Sequence, residues 1–210
     1  MKRIISNLTK TALVLSLLLT FGCSKGDSPD NSDATSNTST TDKGVIINGV
    51  KWATRNIDAP GTFTTNPEEP GALYQWGSGT SQWTYNYYYY GGWKAIITPS
   101  GWRIPTQNEL NALCDNSKVN RQWLIVNGMR CMKITDTASG NSMLLPASGD
   151  RAQFDGTFEN SGTNGYFWSS TESSQGSAYF LGIQVSGGSD GLGMYSTSCK
   201  YGFSVRAVAE

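Results

Sequence analysis

The chain has 210 residues with 16 acidic and 16 basic side chains, only 15% charged residues, and no histidine. A neutral chain carries no basic footprint for nucleic acid, and without histidine neither a Ser-His-Asp or Cys-His catalytic arrangement nor a His-ligated zinc or copper site can be built. Its 24 Gly, 10 Tyr and 7 Trp point instead to many turns and to side chains suited to contact surfaces.

At the amino terminus Lys2, Arg3 and Lys10 form a positive region, and residues 11–20 are an apolar run of about ten residues. That length suits a signal peptide and falls short of the roughly twenty residues that span a bilayer. The run leads into Leu19-Thr20-Phe21-Gly22-Cys23, which resembles the lipobox of bacterial lipoproteins, with a small residue before the cysteine. Residues 1–22 are therefore expected to be a lipoprotein signal peptide. Cys23 is the expected lipidation site, anchoring the chain to a membrane of the cell envelope, at the outer membrane and in reach of its surface. Residues 23–43 are mostly Ser, Thr, Asp, Asn, Gly and Lys, a composition that stays unfolded and acts as a flexible linker. Asp27, Asp30 and Asp33 are similar to export signals that send some Bacteroidetes lipoproteins to the cell surface; a plain linker explains the same residues.

Residues 44–210 are enough chain for one domain with a real core. Strands are expected at Val45–Ile47 and Val50–Ala53, joined by Asn48-Gly49, a dipeptide that tolerates positive φ and so favours a two-residue hairpin. One helix is expected after Thr106. There Thr106-Gln107-Asn108-Glu109 fits a capping box, Leu110 and Leu113 share a face, and Pro105 prevents an earlier start. Further strands are expected at Trp123–Val126, Met129–Ile134, Met143–Pro146, Tyr166–Ser170, Ala178–Val185 and Phe203–Val208. The fold class this implies is α+β, with short strands, long loops and few helices. Pairing of the first and last strands would close it and protect sheet edges. Trp52, Trp102 and Trp168 sit in short apolar words and are expected in the core. Arg55, Arg103 and Arg206 are expected as buried partners of carbonyls or acids.

Six words occur in order along this domain: Val50-Lys51-Trp52-Ala53-Thr54-Arg55-Asn56, Gly71-Ala72-Leu73-Tyr74-Gln75-Trp76-Gly77, Gly101-Trp102-Arg103-Ile104-Pro105-Thr106, Leu145-Pro146-Ala147-Ser148-Gly149, Tyr166-Phe167-Trp168-Ser169-Ser170-Thr171 and Gly202-Phe203-Ser204-Val205-Arg206. Together they resemble the Fibrobacter succinogenes major paralogous domain of Bacteroidetes surface proteins. The resemblance implies a C-type lectin-like fold, related to the formylglycine-generating enzymes and to the variable proteins of diversity-generating retroelements. It also implies paired terminal strands and a ligand face built from loops.

Chemistry is narrowly bounded. Cys114, Cys131 and Cys199 have no metal-type spacing. In an oxidising compartment Cys131 and Cys199 are one possible pair, and separate buried thiols are the other reading. Nothing matches the closely spaced cysteine pair of the formylglycine-generating relatives, so that activity is not carried over. Asp150, Asp155, Glu159 and Glu172 are the carboxylates from which a glycosidase pair would have to come, but spacing alone does not place two of them across a sugar. Glu68-Glu69-Pro70 resembles the Glu-Pro-Asn word of calcium-dependent lectins, yet Gly71 stands where Asn would be. Calcium-bridged sugar binding is therefore not expected, and Asp136 and Asp190 are no more than isolated candidate oxygen ligands. No cofactor, no metal and no enzyme activity are expected.

Two segments are candidate ligand surfaces. The stretch from Trp83 to Trp93 contains Trp83, Tyr85, Tyr87, Tyr88, Tyr89, Tyr90 and Trp93, side chains that give large contact area at low entropic cost; the alternative is that alternate tyrosines pack inward. The second comprises small polar loops with Ser173, Ser174, Asp190 and Tyr195, similar in position to the variable region of retroelement-diversified proteins; plain turns joining strands are the favoured reading. The expected function is a surface-anchored, non-enzymatic binding module, an adhesin or receptor component for glycan or protein. A structural or assembly role in the envelope and a retroelement-diversified binder are the alternatives.

Overall fold

The computed structural model describes residues 39–87, 93, 96–185 and 191–210. Cys23, Tyr88, Tyr89, Tyr90 and Asp190 lie outside the described residues.

Strand β1 (Val45–Ile47) and strand β2 (Val50–Trp52) form the expected hairpin. Asn48 and Gly49 have φ of 49° and 78°, the left-handed pair that lets a two-residue turn follow the strand twist. Ile47 and Trp52 point inward while Ile46 and Lys51 face out, the two-residue alternation of a half-covered sheet. Strand β3 (Tyr74–Gln75) and strand β4 (Trp102–Arg103) follow.

Helix α1 (Gln107–Ala112) has the capping box read from the sequence. The Glu109 amide donates to Thr106 Oγ1 at 3.3 Å, and the Thr106 amide donates to Glu109 Oε2 at 2.7 Å. Arg103 grips the same carboxylate with two nitrogens, at 2.9 and 2.5 Å. Leu110 and Leu113 are buried. This six-residue helix is the whole α component among the described elements, so the expected α+β fold is mostly β.

Strands β5 (Val119–Val126), β6 (Met129–Asp136) and β7 (Ser142–Pro146) make a meander. Its first turn, Asn127-Gly128, repeats the left-handed pair at φ 48° and 84°. Strand β8 (Asp150–Arg151) and strand β9 (Phe158–Glu159) form a short hairpin. Strands β10 (Asn164–Ser174), β11 (Ser177–Gln184) and β12 (Leu192–Ser198) form a second meander. Strand β13 (Gly202–Phe203) lies between β3 and β8, and strand β14 (Val208–Ala209) lies between β2 and β4. First and last strands thus meet in one sheet of order β1-β2-β14-β4.

Two apolar clusters flank β10. Trp168 points into one with Trp76, Phe203 and Val205; its neighbour Phe167 points into the other with Trp52, Leu110, Ile134, Leu181 and Val208. Trp52, Trp102 and Trp168 are buried as expected. The Trp168 indole also donates to the Tyr74 carbonyl at 2.7 Å, so its polar edge is not stranded in the core.

Several expectations need correction. Phe203–Val208 is not one strand. Residues 204–207 leave the sheet because their backbone serves the loop after β2, with the Ala53 amide donating to Ala207 O at 2.9 Å and the Ile57 amide to Val205 O at 3.0 Å. Leu192–Tyr195, read as part of a loop, belongs to β12, where pairing with β11 outweighs the low strand propensity of Gly193. Ser173 and Ser174, also read as loop, end β10. Cys131 and Cys199 do not pair: all three domain cysteines are free, and these two are buried. Burial raises their thiol pKa to about 11 and about 12 respectively.

Candidate functional site

The aromatic segment is anchored by the Gln75 side chain. Its amide nitrogen donates to the carbonyls of Thr84 and Lys200, both at 3.1 Å, and its oxygen accepts from the Thr84 amide at 2.9 Å. From this anchor the aromatics divide. Tyr87 is half-buried against the Trp168 cluster and donates its hydroxyl to the Trp76 carbonyl at 2.5 Å. Trp93 packs edge-on to Trp76, with centroids 5.8 Å apart. Both were expected as ligand residues; both pack against the Trp168 cluster, Tyr87 in the way the inward alternative for the tyrosines describes.

Trp83 and Tyr85 differ from them. The Trp83 indole lies against Gly156 in the β8–β9 turn, where an added Cβ would come within 2.6 Å of the ring. Tyr85 is 63% exposed, with its ring 6.2 Å from that of Trp83. The same hairpin carries Phe154, 73% exposed, and Phe158, 52% exposed. Phe158 and Arg151 then line a cleft of about 440 Å³ with Pro70, Leu73 and Ser81. Arg151 is held by donation to the Gly156 carbonyl at 3.2 Å. Phe154 and Phe158 were not picked out in the sequence; each is a lone Phe among Asp, Gly and Thr, with no aromatic run to mark it.

The second candidate set is split. Ser173 and Ser174 stand at the end of the second meander beside the turn to Ser177. Tyr195 lies opposite Phe180 on β12 and is 57% exposed. It lines a cleft of about 570 Å³ that also takes in Tyr166, Gly182, Gln184 and, from the region after α1, Cys114 and Arg121. Neither serine lines this cleft.

The acidic residues have mostly structural work. Asp150 and Glu159 are opposed across β8 and β9, so two of the four candidate carboxylates meet. Burial raises the Asp150 pKa, against a hydrogen bond donated by Asn160 at 2.7 Å, and the nearby Glu159 charge pushes it the same way as burial. Asp155 accepts from the Thr157 amide at 3.0 Å in the turn, and Glu172 is exposed on β10. Glu68 is buried and accepts from Asn127 at 2.6 Å; Glu69 closes its own turn by accepting from the Thr65 amide at 2.8 Å. Asp136 accepts from the amides of Asn48, Ala138 and Ser139 at 2.5, 2.9 and 2.8 Å, tying the first hairpin to the end of β6. Among the described residues no three His, Cys, Asp or Glu side chains are grouped to hold a metal.

The three arginines act as structural forks. Arg55 pairs with Asp42 at 3.1 Å and donates to the carbonyls of Thr64, at 2.8 Å, and Thr41. Arg103 holds Glu109, whose pKa falls to about 2 chiefly through that hydrogen bond. Arg206 is fully buried, and donates to Asn56 Oδ1 at 2.8 Å, Thr54 O at 2.8 Å and Ala53 O at 3.2 Å.

Searches of curated proteins and of solved structures found no match to the chain. The family model of the Fibrobacter succinogenes major domain matches residues 45–209, an interval running from β1 to β14 and so including both aromatic faces. The chain belongs to the Fibrobacter succinogenes major domain family.

Proposed function

We propose that this domain is a non-enzymatic binding module of C-type lectin-like fold, held by a lipid on Cys23 at the outer membrane, that recognises a glycan or a protein through an aromatic rim. The observation that carries the reading is the rim itself. Tyr85, Phe154 and Phe158 are each more than half exposed and are contributed by the aromatic segment and the β8–β9 hairpin, which Trp83 clamps together at Gly156. Soluble proteins rarely expose such a group of aromatics without a partner, and flat, rigid aromatic side chains dominate binding hot spots.

The test is a glycan and host-protein array probed with the full chain, alongside Trp83→Ala/Tyr85→Ala and Phe154→Ser/Phe158→Ser variants. At least one array ligand is expected to bind saturably and to be lost by both variants while their melting temperatures stay near that of the parent. Persistence of every bound array ligand in both folded variants would refute the rim as a site. A Cys23→Ser variant tests the anchor separately; it should leave the membrane fraction, and its retention there would refute lipidation at this residue.

A further inference from the structure

The Tyr195 cleft is a different surface from the rim, since the two clefts share no lining residue. Its floor begins with a glycine pair: Gly182 of β11 faces Gly193 of β12. A Cβ at Gly182 would lie 3.2 Å from two Tyr195 ring carbons, and a Cβ at Gly193 would lie 2.9 Å from the Tyr195 hydroxyl. The tyrosine ring therefore lies down across the hollow left by two missing side chains. Phe180 supports it from its cross-strand position, with centroids 5.7 Å apart and planes tilted by 32°. One face of the ring is thus spent on the sheet, while the residue stays 57% exposed. The result is a flat aromatic surface locked in place before any ligand arrives, which reduces the ordering cost of binding.

Beside the apolar Phe180, Ile183 and Leu192, the cleft is lined by neutral polar groups. Asn164 and Tyr166, two residues apart on β10, are joined by a hydrogen bond from the Asn164 amide to the Tyr166 hydroxyl at 2.7 Å. Gln184 is exposed at the end of β11 beside them. Amides and phenols both donate and accept, which suits a ring of hydroxyl groups that do the same. Among the described lining residues Arg121 is the one charged group, and it donates to the Leu113 carbonyl at 3.2 Å. An apolar peptide would leave those amides unpaired, whereas a sugar presents a C–H face to the ring and hydroxyls to the amides.

The geometry points to a saccharide site in which one pyranose ring stacks on the outer face of Tyr195 and hydrogen-bonds to the Asn164, Tyr166 and Gln184 side chains. Gly182 and Gly193 are positioning residues: they set the ring flat, and a side chain at either would lift it.

Saturation-transfer NMR with the full chain tests this, using methyl β-glucopyranoside, methyl β-galactopyranoside and N-acetylglucosamine as probes. At least one probe is expected to receive saturation on its ring C–H protons. Tyr195→Phe should keep that affinity within about threefold, whereas Tyr195→Ala should weaken it by about tenfold or more. Tyr195→Leu keeps an apolar cover over the glycines without a flat face, and should lose binding with an unchanged melting temperature. Failure of all three probes to bind overturns the proposal, as does a folded Tyr195→Leu chain that binds like the parent. Trp83→Ala/Tyr85→Ala separates this site from the rim: monosaccharide binding that it retains belongs to the Tyr195 cleft, whatever becomes of the array ligand held by the rim. Loss of sugar binding in that variant would transfer the site to the rim, so this inference and the rim reading fail separately.

Discussion

Arg206 offers the sharpest test of how this fold is held. It is fully buried, and it feeds three acceptors, Ala53 O, Thr54 O and Asn56 Oδ1, on the loop where β2 leaves its sheet. Burial pulls its pKa down from the usual arginine value, so the charge itself opposes folding while the hydrogen bonds favour it. Arg206→Met keeps the volume and removes both effects. Leaving two buried acceptors and the part-buried Thr54 carbonyl without a donor costs about 1–3 kcal/mol each, and release from desolvation returns a few kcal/mol. A net loss of about 3 kcal/mol is expected. With an m-value of about 2 kcal/mol/M in urea, the unfolding midpoint should fall by about 1.5 M. Arg206→Lys should also lose stability, because an ammonium lacks the planar fork that reaches three acceptors. Equilibrium urea unfolding followed by tryptophan fluorescence measures both. A midpoint for Arg206→Met equal to the parent's would refute the view that these hydrogen bonds hold the loop.

Glu109 has a folded-state pKa of about 2 against an ordinary 4.5, so its contribution is complete above pH 4.5 and disappears as the pH falls towards 2. The parent's stability should decline across that window more steeply than that of Glu109→Gln; parallel curves would refute the assignment. Gly71 has φ of 67°, and a Cβ there would sit 2.3 Å from the Ile57 carbonyl oxygen. Gly71→Ala should therefore cost upwards of about 2 kcal/mol, while Gly101→Ala, with a similar φ of 80° and open space, should cost only the backbone strain of about 1 kcal/mol. Equal melting temperatures for the two would show that the clash relaxes. Cys131 and Cys199 are free and buried, so a thiol reagent should leave both unmodified in the native domain and reach them in denaturant. Reductant should not shift the melting temperature, and a clear drop would reveal a disulfide.

Features set by neighbouring residues were readable from the sequence. Thr106 and Glu109 cap their helix across three residues, and Asn48-Gly49 makes its turn from backbone preference alone. The tryptophan words were readable too, because a large apolar side chain next to a turn has few places to go. The two-residue strands were not. Tyr74–Gln75 is a strand because Gly202–Phe203 lies beside it, a contact with no local signature, and Gly202 also joins the short β8–β9 hairpin to that sheet through Arg151. β12 was hidden by its composition, in which Gly193 and the run Ser196-Thr197-Ser198 surround Met194 and Tyr195, and which reads as loop until a neighbouring strand supplies hydrogen bonds. In the aromatic segment the sequence could not separate Tyr87 and Trp93, which pack inward, from Trp83 and Tyr85, which face a second loop.

The position of β14 has a kinetic consequence. Val208 is bonded on one side to Trp52 and on the other to Arg103, so a strand made late is the middle of a sheet begun early. During vectorial synthesis β2 and β4 wait with unpaired edges while more than half the domain is still to come. Such long-range closure is slow, and the waiting edges attract other chains. A polypeptide released without residues 208–209 would lack a central strand instead of an edge one. It should appear as a protease-sensitive, aggregation-prone species, not as a slightly weakened domain.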